Sequence, residues 1–363
     1  MKIAFIADIH CHEFKDFSKP VSVIWNGNYF IDCAGADVDG IIMSSRLLDI
    51  FKALTTIRDE LVNKKVQNLI IAGDIFHQRG SINTVVFNCV KRVFESFISV
   101  GIKVFAIPGN HDQVSNQDRP ENSLYGLGDT IVVVDTMCNF DVGDVSVVWI
   151  PFTKNKQIVL KYLKEVSKQN SDKPRLLVSH LGVVGGAMGK SNYVHAGEYE
   201  VKQLKPNYFC AVVLGHYHKP QFLTDNMIYA GAPIQHNFND EGEERGYWIL
   251  DIRSNKKVVF NLYSIDSPKF ITKEYHKDIQ LDSGDYIRMV VDEKNIDKAV
   301  NSIEESNHFV KLELTKKVSV ERRIDIDVTT SNEVILGRYV ENFGEGDKEL
   351  LLIGKSIYEE ANI

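Results

Sequence analysis

Five short apolar segments along the chain each stop abruptly at residues of the types that bind metal ions. Every segment is rich in β-branched and aliphatic residues and is bounded by Gly or a polar residue, which predicts a buried strand. The segments and the residues after them are KIAFIA before Asp8-Ile9-His10, VQNLIIAG before Asp74, IKVFAIPG before Asn110-His111-Asp112, RLLVS before His180, and CAVVLG before His216-Tyr217-His218.

Helical patterns separate the early strands. Residues 44–63 and 83–100 each place apolar side chains at the spacing of one helix face. Strands that alternate with helices indicate an α/β layered core, and such sheets place their ligands at the carboxyl ends of strands. We therefore expect the residues that follow the five strands to share one site.

Residues 21–33 interrupt this alternation with two β-rich runs around Asn26-Gly27, which is a strong signal for a β-hairpin. The predicted hairpin follows directly on Asp8 and His10. Two positions for it are therefore open: it overhangs the site, or it lies elsewhere on the surface.

The chain changes character after Asp251, where the ligand-type residues stop. Residues 286–315 predict a strand, a helix and a strand, which together make a small separate α+β unit. Residues 316–330 read as extended and charged, and residues 333–363 as two short helices broken at 343–346. Because a helix pair this short cannot bury its apolar side chains against itself, it packs on the main body or on a partner, and we favour the partner.

The composition is that of a globular protein without a membrane span. The chain has 363 residues, 44% hydrophobic and 25% charged, which predicts two to three domains. No apolar run approaches the ~18 residues of a spanning helix, and the first strand lacks the basic flank of a signal peptide. The five cysteines are scattered and never paired as C-x-x-C, so we expect free thiols and a cytoplasmic location.

The strand-end residues form a set of oxygen and imidazole donors. Such a set suits two divalent ions bridged by one carboxylate, the arrangement that promotes in-line attack on phosphate esters. The absence of Cys argues against a structural zinc site, and the mixture of donors favours manganese, with iron or zinc as alternatives. The members of the set are Asp8, His10, Asp74, Asn110, His180, His216 and His218.

His111 stands between Asn110 and Asp112, beside the predicted ligands. Imidazole titrates near working pH, so His111 is well placed to donate a proton to the leaving oxygen of a phosphate ester. In this interpretation Asp112 orients the ring of His111. The alternatives are that His111 is a further ligand or an ordinary loop residue.

Together these blocks resemble the signature of the calcineurin-like metallophosphoesterases, over roughly residues 1–251. The resemblance implies a β-sandwich flanked by helices. It also implies that Asp74 bridges the two ions, with the remaining ligands divided between them. By this likeness one ion is held by Asp8, His10, Asp74 and His218, and the other by Asp74, Asn110, His180 and His216.

Further blocks resemble one branch of these enzymes, the SbcD family, called Mre-eleven in eukaryotes and archaea. The compact length and the C-terminal helix pair are most similar to the bacteriophage members of that family. The resemblance implies a catalytic domain over 1–265, a capping domain over 266–318, and a linker with a C-terminal helix pair over 319–363. The blocks that carry it are Gly73-Asp74-Ile75-Phe76-His77, Gly231-Ala232-Pro233 and Arg245-Gly246-Tyr247.

The SbcD likeness implies a DNA-repair and recombination nuclease. Its activities would be 3′-to-5′ exonuclease on duplex ends and endonuclease on single-stranded or hairpin DNA, with His77 aiding the exonuclease and His111 as the acid. It further implies a homodimer and a complex with an SbcC/Rad-fifty-type ATPase that grips the C-terminal helix pair. A bacteriophage protein of this kind would act in the cytoplasm of the host cell.

The formal net charge of −7 counts against a chain that holds DNA unaided. One alternative is therefore a phosphodiesterase or phosphatase for small substrates with the same metal chemistry. The other is a scaffold without activity, although scaffolds commonly lose ligands and every ligand position here is filled. Bis-nitrophenyl phosphate and linear DNA, offered side by side, distinguish the two enzymes.

Overall fold

The computed structural model describes residues 1–33, 40–116, 120–189, 193–194, 198–253, 255–276, 284–304, 309–314, 332–343 and 351–353. The chain divides into two compact units, Met1–Leu314 and Thr315–Ile363. In the described part of the chain, no helix is both long and apolar enough to cross a membrane.

Strands dominate the first unit. In chain order they are β1 (Lys2–Ile6), β2 (Pro20–Trp25), β3 (Phe30–Asp32), β4 (Ile41–Ser44), β5 (Asn68–Ile71), β6 (Lys103–Ala106), β7 (Val132–Val133), β8 (Cys138–Val142), β9 (Val145–Ile150), β10 (Arg175–His180), β11 (Ala187–Met188), β12 (Tyr193–Val194), β13 (Ala211–Gly215), β14 (Gln221–Thr224), β15 (Met227–Tyr229), β16 (Gly246–Ile252), β17 (Val258–Ser264), β18 (Phe270–Glu274), β19 (Tyr286–Val291) and β20 (Phe309–Leu314).

Helices are fewer, and both long helices of the first half agree with the predicted ranges. The α-helices are α1 (Ser45–Asn63), α2 (Thr84–Ser99), α3 (Lys156–Val166), α4 (Ile296–Glu304) and α5 (Asn332–Phe343). Short 3-10 turns cover Ser123–Leu127, Val201–Leu204, Pro206–Tyr208, Phe238–Asp240 and Glu293–Asn295.

Two six-stranded sheets form the centre of the first unit. Sheet 1 has the order β17-β16-β1-β5-β6-β7, and sheet 2 has the order β14-β15-β13-β10-β9-β8. Alternate residues of the central strands point into a shared core, as the period of two along a strand requires. That core includes Ile3, Phe5 and Ile70 from sheet 1 and Val147, Trp149, Val178 and Val213 from sheet 2.

Helices cover the outer face of each sheet. α1 and α2 pack on sheet 1 through side chains such as Phe51, Leu54 and Phe94. α3 packs on sheet 2 through Val159 and Leu163. The predicted β-sandwich flanked by helices is therefore confirmed, and its four layers bury apolar residues at three interfaces.

The predicted hairpin is present as β2 and β3, which pair antiparallel around Asn26 and Gly27, with β4 added on the other side of β2. It packs against α1. The Phe30 and Phe51 rings stack with centroids 5.1 Å apart, and Tyr29 donates a hydrogen bond to Asp59. The hairpin is thus a surface element on α1, and these contacts do not place it over the predicted ligands.

Residues 270–314 contain the predicted small unit. β18, β19 and β20 form one parallel sheet in that order, and α4 connects β19 to β20. A small core of Met289, Val291 and Ala299 joins the helix to the sheet. The strand β18 was not predicted. The proposed boundary at residue 266 stays a prediction.

In the second unit, α5 forms where the first C-terminal helix was expected, and residues 351–353 are also helical. The predicted extended stretch at 316–330 and most of the second predicted helix lie outside the described residues.

Candidate metal centre

All seven predicted ligands lie together at one edge of the sandwich. β1, β5 and β6 of sheet 1 and β10 and β13 of sheet 2 end at this edge. His10 Nε2 is 3.1 Å from His218 Nε2. Asn110 Oδ1 is 3.0 Å from both His180 Nε2 and His216 Nδ1. The strands of two sheets therefore converge on a single cluster of donor atoms.

Strained backbone turns aim the sheet 1 ligands into the cluster. Asp8, His10 and Asp74 have φ values of 52°, 53° and 58°, a left-handed conformation that non-glycine residues seldom adopt. Backbone bonds from Asp8 N to Gly73 O (3.0 Å) and from His10 N to Asp74 O (3.1 Å) tie the two turns together. The two loops thereby hold each other in this conformation.

Gly109, in the G-N-H-D block, is required by close packing. A Cβ at this position would lie 2.1 Å from Asp74 Oδ1 and 2.6 Å from the Asp74 backbone nitrogen. Any side chain here would push Asp74 out of the cluster. The glycine therefore allows the loop after β6 to approach the loop after β5.

Asp74 lies between the two groups of donors. Its Oδ2 is 3.3 Å from His180 Nε2 and 3.8 Å from His10 Nε2. Its Oδ1 accepts a hydrogen bond from the His111 backbone N–H at 2.8 Å. A carboxylate in this position has one oxygen that faces donors on both sides, which suits a bridge between two ions.

The surroundings of His180 fit a cation. Its Nδ1–H donates to Ala72 O at 2.7 Å, so the Nε2 of the neutral ring carries a lone pair. That lone pair faces Asn110 Oδ1 and Asp74 Oδ2, which are also acceptors. Burial lowers the pKa of His180, but the Asp74 carboxylate outweighs burial and raises it to about 9. A positive charge is therefore favoured at this point, as a proton or as a metal ion.

Two triads of side chains offer ligand atoms that all lie within 4.8 Å of one another: Asp8, His10 and His218, and Asp8, Asp74 and His180. Both are built from buried or nearly buried residues. Burial, with a contribution from the negative charge of Asp74, raises the pKa of Asp8 to about 7. A divalent cation would offset both effects and favour the ionised carboxylate. The donor set and its electrostatics therefore fit two divalent ions.

His77 and His111 form the outer wall of the cluster. The His111 Nδ1–H donates to His77 O at 2.6 Å, and the two rings stack with centroids 5.2 Å apart. His77 Nδ1 lies 3.3 Å from His10 Nδ1. The three residues form a further group with ligand atoms within 4.8 Å. His111 Nε2 is the ring nitrogen that the hydrogen bond to His77 leaves for a substrate.

Asp112 has a different position from the one expected. Its carboxylate accepts hydrogen bonds from the backbone N–H groups of Asp74 (2.8 Å), Phe76 (3.0 Å) and Gly109 (2.9 Å). The ring of His111 is oriented by His77 O, and the expectation that Asp112 orients it is corrected. The physical reason is that Asp112 is buried beneath the loops, where several N–H groups need an acceptor.

Sequence reasoning missed two histidines that lie at this centre, His12 and His236. His236 Nε2 donates to Asp8 O at 2.8 Å, and His12 Nδ1 donates to His10 O at 2.9 Å. The sequence places His12 just beyond the Asp8-Ile9-His10 block, which indicates a neighbour of the site and not a ligand. His236 matches no motif, so no signal in the sequence separates it from the exposed His276. His195 and His308, which also match no motif, lie outside the described residues.

Comparison with known proteins agrees with this geometry. The family model described as calcineurin-like phosphoesterase matches residues 1–220. The SbcD subunit of the SbcCD nuclease from Staphylococcus epidermidis is 22% identical over 256 residues, 64% of this chain and 66% of that protein. The protein of the same name from Staphylococcus saprophyticus is 32% identical over 131 residues, 35% of this chain and 32% of that protein. The predicted likeness to the SbcD family is confirmed at this modest identity.

The alignments cover less than two thirds of these relatives' own lengths. Among solved structures, a dimetal phosphatase from Danio rerio matches 73% of this chain and 99% of its own, with a TM-score of 0.44 and 13% identity.

Proposed function

The chain belongs to the calcineurin-like phosphoesterase family, and from this membership we propose that it is a dimetal-dependent DNA nuclease of the SbcD type. One observation carries the proposal: seven oxygen and imidazole donors converge from two sheets, with Asp74 between the two halves. The similarity to two proteins named as the SbcD component of the SbcCD nuclease supports DNA as the substrate.

In this proposal Asp8, His10, Asp74 and His218 hold one ion, and Asp74, Asn110, His180 and His216 hold the other. When bound, two divalent ions, manganese by preference, activate water and neutralise charge on the phosphate.

The proposed acid is His111. The Nδ1–H bond to His77 O fixes the ring, and Nε2 then carries the proton that the leaving 3′ oxygen takes. His77 stacks on the same ring and lines the approach to it. Asp112 acts indirectly, because its carboxylate holds the backbone of both loops that carry Asp74 and His111.

We further propose that residues 266–318 form a capping domain and that residues 319–363 bind an SbcC-type ATPase, with the whole protein a homodimer. Support for the ATPase site comes from the second unit, where Leu352 and Ile353 are exposed apolar side chains. Deletion of residues 331–363 should abolish co-purification with the ATPase and leave manganese-dependent activity of the chain on small esters intact. Complex formation that survives the deletion would contradict this assignment.

The nuclease proposal is tested by manganese-dependent digestion of end-labelled duplex DNA, with the Asp74→Asn variant as the control. We expect stepwise release of nucleotides from 3′ ends by the wild type and none by the variant. Absence of DNA cleavage, with rapid hydrolysis of bis-nitrophenyl phosphate even after an SbcC-type ATPase is added, would favour a small-substrate phosphodiesterase instead.

A further inference from the structure

The segment Asp8–His10 supplies two ligands, and both of them have a strained backbone conformation. Both Asp8 and His10 are left-handed, at φ 52° and 53°, a conformation that is unfavourable for residues other than glycine. Such a conformation persists only where the surroundings over-determine it. Backbone N–H groups of the segment are bonded to the loop after β5. The carbonyl groups of the same two residues face elsewhere.

Both carbonyls accept a hydrogen bond from an imidazole that belongs to no ligand position. His236 Nε2 donates to Asp8 O at 2.8 Å, and its ring lies 5.4 Å from the His10 ring and 5.3 Å from the His218 ring. His12 Nδ1 donates to His10 O at 2.9 Å. A carbonyl can only accept, so these bonds define which ring nitrogen carries hydrogen in each case.

The backbone of His236 and the ring of His12 are held by further contacts. His236 O accepts a hydrogen bond from the Arg46 guanidinium at 2.7 Å, and His236 N donates to Asp240 at 2.7 Å. The His12 ring packs between Phe14 and His77, with centroids 3.7 Å and 4.3 Å away. The donors therefore cannot turn away from the carbonyls without disrupting packed neighbours.

We propose that His12 and His236 are positioning residues, which hold Asp8 and His10 in their left-handed conformation for the ion shared with His218. The inference rests on the dimetal function proposed above. His180, on the other half of the centre, is oriented separately, through the bond from its Nδ1 to Ala72 O. Loss of either imidazole should therefore weaken one ion more than the other.

Amide side chains offer matched replacements. The amide nitrogen of Gln reaches the place of Nε2, and that of Asn the place of Nδ1, so His236→Gln and His12→Asn keep the donor without the ring. His236→Leu and His12→Leu keep bulk and remove the donor. The same change at the exposed His276, His276→Leu, is the control.

The experiment is a titration of the metal-free full chain with manganese. Calorimetry and the electron paramagnetic resonance signal of free manganese both monitor the binding. The wild type should bind two ions in resolvable steps. Each leucine variant should lower the manganese affinity of one binding step by about 10–100-fold, which is the usual effect of losing a residue that orients a metal ligand. The affinity of the other binding step should change by less than about threefold. The amide variants should recover most of the lost manganese affinity.

The inference would be overturned by leucine variants that bind both ions as tightly as the wild type does, or by an equal loss of affinity in both binding steps. It would also be overturned by amide variants that bind manganese as weakly as the leucine variants do. Should a leucine variant fail to fold, the amide variant decides by itself, since a donor role requires near-normal binding of both ions. A wild type that binds fewer than two ions would overturn the dimetal proposal, and this inference with it. Normal binding of both ions without DNA cleavage, even after an SbcC-type ATPase is added, would overturn only the nuclease proposal.

Discussion

The two sheets contribute different chemistry to the candidate metal centre. Sheet 1 supplies both carboxylates and the amide, together with one imidazole, whereas sheet 2 supplies imidazoles alone. The contributions are Asp8, His10, Asp74 and Asn110 from sheet 1 and His180, His216 and His218 from sheet 2.

The pKa values of the candidate ligands differ between the two sheets. Burial raises the pKa of Asp8 to about 7, while His180 from the other sheet outweighs burial and holds the pKa of Asp74 below its usual range. Burial also lowers the pKa of His216 to about 3 and that of His218 to about 4, so these rings stay neutral. The carboxylates of sheet 1 and the imidazoles of sheet 2 therefore complement each other only where the sheets meet, and a cation between them satisfies both.

The largest effect is expected from removal of the carboxylate of Asp74, which lies between the donors of the two sheets. In Asp74→Asn the bridging carboxylate is lost, so we expect both ions to be lost and activity to fall to background. Metal content by plasma mass spectrometry and digestion of labelled duplex measure the two effects. Retention of two ions per chain in this variant would show that Asp74 does not bridge the two ions.

Next in size is His111→Ala, which leaves both halves of the donor set in place. Metals should still bind, while turnover should fall by about two to four orders of magnitude because the proton donor is lost. Steady-state rates with duplex DNA, at matched manganese occupancy, give the result. Activity within a few-fold of the wild type would remove His111 from the acid role.

A smaller effect is expected from Asp112→Ala, which acts on sheet 1 alone. It removes the acceptor for three buried N–H groups and should lower the free energy of unfolding by about 3 kcal/mol. Urea unfolding of the metal-free chain measures it, with Asp112→Asn, which keeps one acceptor oxygen, as the intermediate case. A change below about 0.5 kcal/mol would contradict the loop-holding role.

The smallest expected effect is a pH dependence of the unfolding free energy, which arises from the contact between His180 of sheet 2 and Asp74 of sheet 1. The pKa of His180 rises from 6.5 to about 9 on folding, so the folded state binds more protons than the unfolded state between these values. Its stabilising contribution is complete below about pH 6.5 and is lost as pH rises through about 9.

We therefore expect the metal-free chain to lose about 2 kcal/mol of unfolding free energy between pH 6.5 and 8.5. Urea unfolding in a chelator at both pH values tests this. His180→Gln, which does not titrate, and Asp74→Asn, which removes the cause of the shift, should both flatten the dependence. An unfolding free energy that rises between these pH values in the wild type would contradict the ion pair between His180 and Asp74.

Local sequence patterns predicted the strands that lead to the site, the two long helices and the candidate ligands. The apolar runs before Asp8, Asp74 and His180 specify strands because buried strands need continuous apolar residues, and the two amphipathic helices follow from their own periodicity. The seven ligand positions were identifiable since each directly follows such a run. Residue order along the chain was sufficient for these features.

Tertiary structure decided the rest, because it depends on contacts between residues far apart in the chain. The division of five strands between two sheets, the burial of Asp112 under two loops, and the position of the hairpin on α1 have no local signature. His236 shows the limit most clearly: it contacts Asp8 across 228 positions of sequence. The sequence alone indicated the five strands that lead to the site, the two long helices and the candidate ligands, and only packing decided which histidines support them.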